Sequence, residues 1–421
     1  MTVADRRLRA EIRAILRRIA PATPADGALP PTEYRRIVAK LVTKLAHRSL
    51  PGVKLYSRSL GAFPTLVKES LAALPGMPTA LAEPACTADN RRSPYEPAAW
   101  EGDDLDPVDG QWYFDQPTVD RLLIHLKSSR SVLAMGMPTI AGPAARSVDE
   151  VTLLDRSRGL RGKSLGLETA DRQWGLNVVD WDLGEKPYMD AAGTDVVLMD
   201  PPWYLDHYRA WLHTAIEACK IGGLIGVVVP QLLTNRRSFA DRDELLGLLS
   251  SVGKVSIWPN VLSYVTPSFE RPVLDLSGIG YLDRWRRADL ALVRVRKKRL
   301  PYEFEPIHDI EWKHREIGGR IVRSWGESVP DDGVPVIGPA HETAGYRLGS
   351  VSRYYLRSSD INLVTSRGRA AVVSRWGRLP VILDLLQEGR PLAIAVETAM
   401  PNVAVAERRA LVKAMTTVLE A

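Results

Sequence analysis

From Trp112 to about Leu300 the chain alternates short apolar runs with amphipathic stretches, the pattern that a parallel sheet with crossover helices requires. The spacing predicts strands at 131–135, 150–154, 177–179, 195–199, 224–229, 254–258 and 290–296. Helices are predicted at 117–127, 206–220 and 241–249. The second has Tyr208, Trp211, Leu212, Ala215, Ile216 and Cys219 on one face and is stopped by Gly222-Gly223. The fold class read from this order is α/β, a doubly wound sheet.

Residues 195–204 read Asp-Val-Val-Leu-Met-Asp-Pro-Pro-Trp-Tyr. Val196–Met199 suits a strand buried on both faces, and two prolines after Asp200 cannot continue a ladder, so the chain leaves the sheet there. A carboxylate, a rigid turn and the aromatic pair Trp203 and Tyr204 thus meet at the carboxyl end of a strand, where open α/β sheets bind ligands. Such a group suits an exocyclic amine. Asp200 and the Pro201 carbonyl can accept the amine hydrogens, and Trp203 or Tyr204 can stack a planar base.

The tetrapeptide Asp200-Pro201-Pro202-Trp203 resembles the catalytic motif of S-adenosylmethionine-dependent amino-methyltransferases, above all those that modify adenine in DNA or RNA. The strand count, with two strands in succession at the end, resembles the seven-stranded class I methyltransferase fold. The resemblance covers about residues 112–300. It implies that Asp200 and Pro201 orient the amine and that S-adenosyl-L-methionine is the donor. It also implies a glycine turn after the first strand at Gly136, a ribose carboxylate at Asp155, and an adenine partner at Asp180 or Asp182, on either side of Trp181. A strand-terminal aspartate is equally a helix cap, and Asp180 and Asp182 also suit plain loop chemistry. Thr118, in Tyr113-Phe114-Asp115-Gln116-Pro117-Thr118, stands where this family places a segment contacting the donor's methionine end, with the usual Thr-Pro order reversed.

The glycine turn departs from the family pattern. Ala134-Met135 replaces the acid before Gly136, and Met137-Pro138-Thr139 follows where close approach favours glycine. Asp115-Gln116, with an acid-rich glycine loop and Asp-Pro-Pro-aromatic, also marks the branched-chain polyamine (aminopropyl) synthases. Their loop acids are absent here, which argues against a cationic polyamine substrate. The alternatives to adenine methylation are transfer to a small-molecule, polyamine or protein amine, and a binding or scaffold role without catalysis.

The first 95 residues read as a helical, basic domain, with helices at 4–20, 31–48 and 63–74. Residues 1–50 carry 11 Lys/Arg and 4 Asp/Glu, a balance of +7, so the rest of the chain sums to about −1 of the +6 net charge. Leu8, Ile12, Ile15, Leu16 and Ile19 keep helical spacing with arginines on the other face, which fits either an arm contacting phosphate or an acidic partner, or a solvated face. An acidic connector at 84–110 holds the boundary to the domain 96–300.

Residues 301–421 read as an accessory or target-recognition domain, possible as a winged-helix-like or mixed module. Strands at 361–364 and 370–373 are joined by the Arg367-Gly368 turn, and helices follow at 379–387 and 406–419. Arg353, Tyr354, Tyr355, Arg357, Arg375, Trp376 and Arg378 would suit nucleic acid, the expected partner, and either flanking region could hold a protein. No apolar run approaches about 20 residues, and arginines interrupt the N-terminus, so neither a membrane span nor a signal peptide is expected and the protein reads as cytoplasmic. Cys86 and Cys219 cannot build a disulfide framework, and lone histidines at 207, 213, 308 and 314 do not suggest a metal site. No Ser-His-Asp order or phosphate-cradling loop emerges.

Overall fold

Apolar residues of period two on both faces build a seven-stranded sheet in the computed structural model. The structure describes residues 3–19, 27–47, 52–74, 112–155, 175–267, 270–308 apart from 277 and 281, and most of 312–419. The strands are β1 (Ser131–Met135), β2 (Glu150–Asp155), β3 (Leu176–Asp180), β4 (Thr194–Met199), β5 (Cys219–Pro230), β6 (Gly253–Ser263) and β7 (Arg287–Val295). Their order is β3-β2-β1-β4-β5-β7-β6, with β7 antiparallel to both neighbours and the other pairings parallel. This is the class I methyltransferase fold. The N-terminal segment holds, among the described residues, α1 (Val3–Ile19), α2 (Pro31–Ala46), α3 (Gly52–Ser57) and α4 (Pro64–Ala72). Helix α5 (Gln116–Leu126) leads into β1, and α6 (Pro138–Ala144), α7 (Leu205–Ala218) and α8 (Ser238–Val252) lie among the strands.

Alternation divides the core in two. Leu133, Met135, Val197 and Met199 face Tyr208 and Leu212 of α7 and Leu245 and Leu249 of α8. Val132, Ala134, Val196 and Leu198 face Val119 and Leu122 of α5 and Ile140 of α6. Strand order reverses between β1 and β4, which opens a crevice at their carboxyl ends.

The N-terminal helices belong to the same compact unit as this sheet. Ile12, Ile15 and Leu16 of α1 and Ile37, Leu41 and Leu45 of α2 are buried at helical spacing. The segment is tied down by backbone groups: Leu29 N–H to Arg236 O at 2.9 Å, and Leu233 N–H to Leu60 O at 2.7 Å. The Tyr34 hydroxyl also donates to Leu233 O at 2.7 Å. Arg9 is itself buried and grips Asp289 of β7 with both Nη atoms, at 2.9 and 3.1 Å. The connector at 84–110, Cys86, and the side chains of Leu8 and Ile19 lie outside the described residues.

One boundary differs from the sequence expectation. Helix α7 ends at Ala218 and β5 begins at Cys219, ahead of the glycines expected to stop the helix. Gly222 (φ +79°) and Gly223 sit where the β4–β5 register shifts, and a Cβ on Gly223 would meet Cys219 Sγ at 2.7 Å and Asp195 O at 2.9 Å. The glycines serve a bulge within the strand, so Cys219 is a buried strand residue.

A second compact unit holds α9 (Glu270–Leu276) and an antiparallel sheet ordered β10-β12-β11-β9-β8. Its strands are β8 (Lys313–Ile317), β9 (Arg320–Ser324), β10 (Val336–Pro339), β11 (Leu363–Thr365) and β12 (Ala370–Arg375). Helices α10 (Leu379–Gln387), α11 (Leu392–Ala399) and α12 (Val405–Leu419) supply Leu379, Ile382, Val396, Leu411 and Met415 to its core. The two strands expected here are thus part of a five-stranded sheet. Among the described residues no helix is long and apolar enough to cross a membrane.

Candidate active site

Strand β4 delivers Asp200 to the crevice. Its N–H still donates to Met135 O at 3.1 Å, and Pro201 then ends the ladder because it has no N–H to give. The Tyr264 hydroxyl donates to Asp200 Oδ2 at 2.8 Å and Trp203 Nε1–H lies 3.4 Å from Oδ1. Burial pushes the carboxyl up to about 7, while Tyr264, Trp203 and the Arg286 guanidinium pull the other way. Near neutral pH this group therefore exists in both forms, as a carboxylate that accepts hydrogens and as an acid that donates one. Pro201 is buried, and Pro202 accepts from Tyr204 N–H at 2.7 Å in the turn that starts α7.

The aromatic pair is divided between two duties. Trp203 is half-buried, and the Arg286 guanidinium lies 4.1 Å from its ring centroid and 4.4 Å from that of Trp112, a cation between two indoles. Tyr264 meets Trp203 edge-on at 5.7 Å and stacks obliquely on Phe114 at 4.7 Å. Tyr204 caps α7 and its ring lies 5.9 Å from His207.

The residues expected to hold a donor lie along the carboxyl edge of β1, β2 and β3. Gly136 follows β1 with φ +62°, and a Cβ there would meet the Trp211 ring at 2.7 Å and Asp200 O at 3.2 Å. Only glycine fits this turn. Met137 turns into the core beside Ile140, and Pro138 and Thr139 form the buried first turn of α6. Asp155 ends β2 half-buried, in register with the exposed Asp180 of β3. Asp182 accepts from Gly184 N–H at 2.7 Å, and Trp181 between them donates to Lys186 O at 3.0 Å. Thr118 is buried, its Oγ1 accepting from Ser263 N–H at 2.9 Å, which fastens α5 to β6. Tyr113 reaches the same edge, where burial and the Asp155 charge raise its hydroxyl well above the ordinary value.

The structure brings Asp200, Trp203 and Gly136 together, with Asp155 and Asp180 in register along the edge. Tyr264, Arg286, Trp112 and Trp211 complete the surroundings and were not singled out from sequence. Trp211 alone carried a signal, as a large aromatic on the apolar face of α7. Tyr264 and Arg286 come from opposite sides of a loop, with no local pattern to mark them. Among the described residues no cluster of three or more His, Cys, Asp or Glu could hold a metal.

No protein-family model matches the chain, and no curated protein is similar to it. Among solved structures it is similar to the branched-chain polyamine synthase C9 mutein from Thermus thermophilus, in complex with N4-aminopropylspermidine and 5'-methylthioadenosine. The identity is 17% over 72% of this chain and 96% of that one, with a TM-score of 0.50. The match to the same synthase without the C9 designation has 16% identity, 66% and 96% coverage and a TM-score of 0.47. N-methyltransferase NodS from Bradyrhizobium japonicum WM9 matches at 14% identity over 44% of this chain and 99% of that one, with a TM-score of 0.32. At such identities the likeness concerns the fold. The 72% share exceeds residues 112–307, so it includes more of this chain than the sheet and its crossovers.

Proposed function

We propose that this protein transfers a carbon group from S-adenosyl-L-methionine to an amino nitrogen, with the exocyclic amine of adenine in a nucleic acid as the acceptor. The observation that carries this reading is the Asp200 carboxyl at the carboxyl end of β4, poised near neutrality between Tyr264 and Trp203. The donor's contribution when bound is an electrophilic carbon on a sulfonium. The residues present fit such a donor. Gly136 gives a turn that tolerates no Cβ, Asp155 stands at the end of β2 for ribose hydroxyls, and Asp180 at the end of β3 or Asp182 just beyond it serves its base. Asp200 and the Pro201 carbonyl orient the acceptor amine, and the carboxylate form of Asp200 takes the proton the nitrogen releases. Arg286, held against Trp203, repels a polyammonium acceptor and favours a neutral planar amine, with Tyr204 or the remaining face of Trp203 as the platform.

Aminopropyl transfer is the second reading, favoured by the likeness in fold to a polyamine synthase over 96% of that enzyme's length. Calorimetry with S-adenosyl-L-methionine, followed by labelled-donor assays on DNA, RNA and spermidine, separates the two. The expected outcome is donor binding and label on nucleic acid that falls about 10²–10⁴-fold in Asp200→Asn. Label on spermidine from a decarboxylated donor would establish the second reading. No binding of S-adenosyl-L-methionine at about millimolar concentration would remove the first reading, and no binding of the decarboxylated donor either would remove both.

A further inference from the structure

A cavity of about 370 Å³ lies between the N-terminal helices and the carboxyl edge of β5 and β6, and arginines dominate its wall. Arg9 of α1, Arg58 after α3, Arg121 of α5 and Arg287 of β7 line it, with Gln231 and Asn260. Leu45, Leu60, Pro259 and Val261 give it an apolar side. We infer that this cavity binds the phosphate group of a small phosphorylated molecule.

The argument is one of charge and unmet hydrogen bonds. Arg9 shares Asp289 with Arg242, whose Nη2 donates to the same carboxylate at 2.8 Å, so one aspartate answers two guanidiniums. Arg287 is the sharper case. Burial lowers its guanidinium from the ordinary value, Asp115 opposes that, and Arg121, Arg284 and Arg58 add to the lowering. Arg287 Nε and Gln231 Oε1 are buried with no hydrogen-bond partner among the described residues. A desolvated group of cations with an idle donor is stabilised by an anion that accepts several N–H bonds at once, and phosphate matches the guanidinium fork. The idle Gln231 acceptor suits a hydroxyl on the same ligand.

The size of the ligand follows from exposure. Arg9 is buried and Arg58, Arg121 and Arg287 are half-buried around a hollow, whereas a polymer backbone is met by cations displayed along an open face. A hollow of this volume holds a small ester. The inference stands apart from the transfer reading, because its readout is binding and Asp200 takes no part in it.

The test is calorimetric titration of the full chain with inorganic pyrophosphate and with adenosine 5'-monophosphate at constant ionic strength. Saturable one-site binding is expected, weakened about tenfold or more in Arg287→Gln and in Arg58→Gln. Arg35→Gln, an equal charge change on the exposed face of α2, should leave it unchanged. Three outcomes would overturn the inference. These are no saturable binding to the wild-type chain up to about 10 mM, an equal loss in Arg35→Gln, and displacement of the ligand by a DNA strand lacking terminal phosphates. The wild-type titration decides the matter even where a variant fails to fold.

Discussion

Tyr264 touches Asp200 through one hydrogen bond, and that bond favours the carboxylate. Removing it in Tyr264→Phe takes away a stabiliser of the charged form, so the Asp200 carboxyl rises further above about 7. The limb of the pH–rate profile that needs the carboxylate should then move to higher pH while the fold persists. An unmoved limb would show that another group controls it. Asp200 also opposes folding as pH rises. Its folded value lies above the ordinary 3.8, so the folded state binds the extra proton between these values, and stability falls as pH climbs toward and through about 7. Gly136→Ala is a steric prediction: a positive φ and a Cβ 2.7 Å from the Trp211 ring should cost about 2 kcal/mol in urea denaturation and abolish donor binding. Asp200 and Gly136 were legible because chain order alone puts them at strand ends. Tyr264 and Arg286 were not, since a loop brings them together and no short motif encodes it.

Strand β7 is the element on which the most depends. Arg286 just before it stacks on the two indoles, Arg287 lines the arginine cavity, and Asp289 receives Arg9, Arg242 and the Asn260 N–H. Burial works against the Asp289 charge, yet Arg9 and Arg242 hold it below the usual carboxylate range. Asp289→Ala leaves two buried guanidiniums without a counter-ion, Arg242 keeping only its bond to Pro230 O, and should cost about 3–5 kcal/mol in chemical denaturation. Amide exchange should show α1 loosening first, and an unchanged α1 would mean that its apolar face suffices to hold it. The sequence showed α1 as an apolar stripe with arginines opposite, but could not tell a solvated arginine from a buried one. Arg9 differs from Arg6 only in facing a carboxylate far along the chain. Strands β1 and β4 were legible to the residue or nearly so, because both faces are buried. Strands β8, β9 and β10 were missed, their partly exposed residues giving neither a run nor a clean alternation.

At the scale of the whole molecule, two compact units carry separate polar cores, and this makes their acid responses separable. In the second unit Arg315 of β8 meets Glu327 at 2.7 Å and Asp384 at 2.7 Å. Burial would raise the Glu327 carboxyl, but hydrogen bonds from Arg315, Lys313 and Ser324 bring it down to about 2. A lowered carboxylate contributes its stability above the ordinary 4.5 and loses it as pH falls from there through about 2. Thermal unfolding of this unit should therefore weaken over that window, and Glu327→Gln should flatten the dependence. A slope unaltered in that variant would sink the assignment. The tie between Arg9 and Asp289 spans 280 residues, and it sets a timetable for biosynthesis. Helices α1 to α4 leave the ribosome well before the loop after β5 and the carboxylate of β7 that receive them are made. Until then the nascent segment exposes its apolar stripe and an arginine with no counter-ion. Its docking therefore comes after translation of β7, and a chain stalled before residue 289 is a natural client for chaperones.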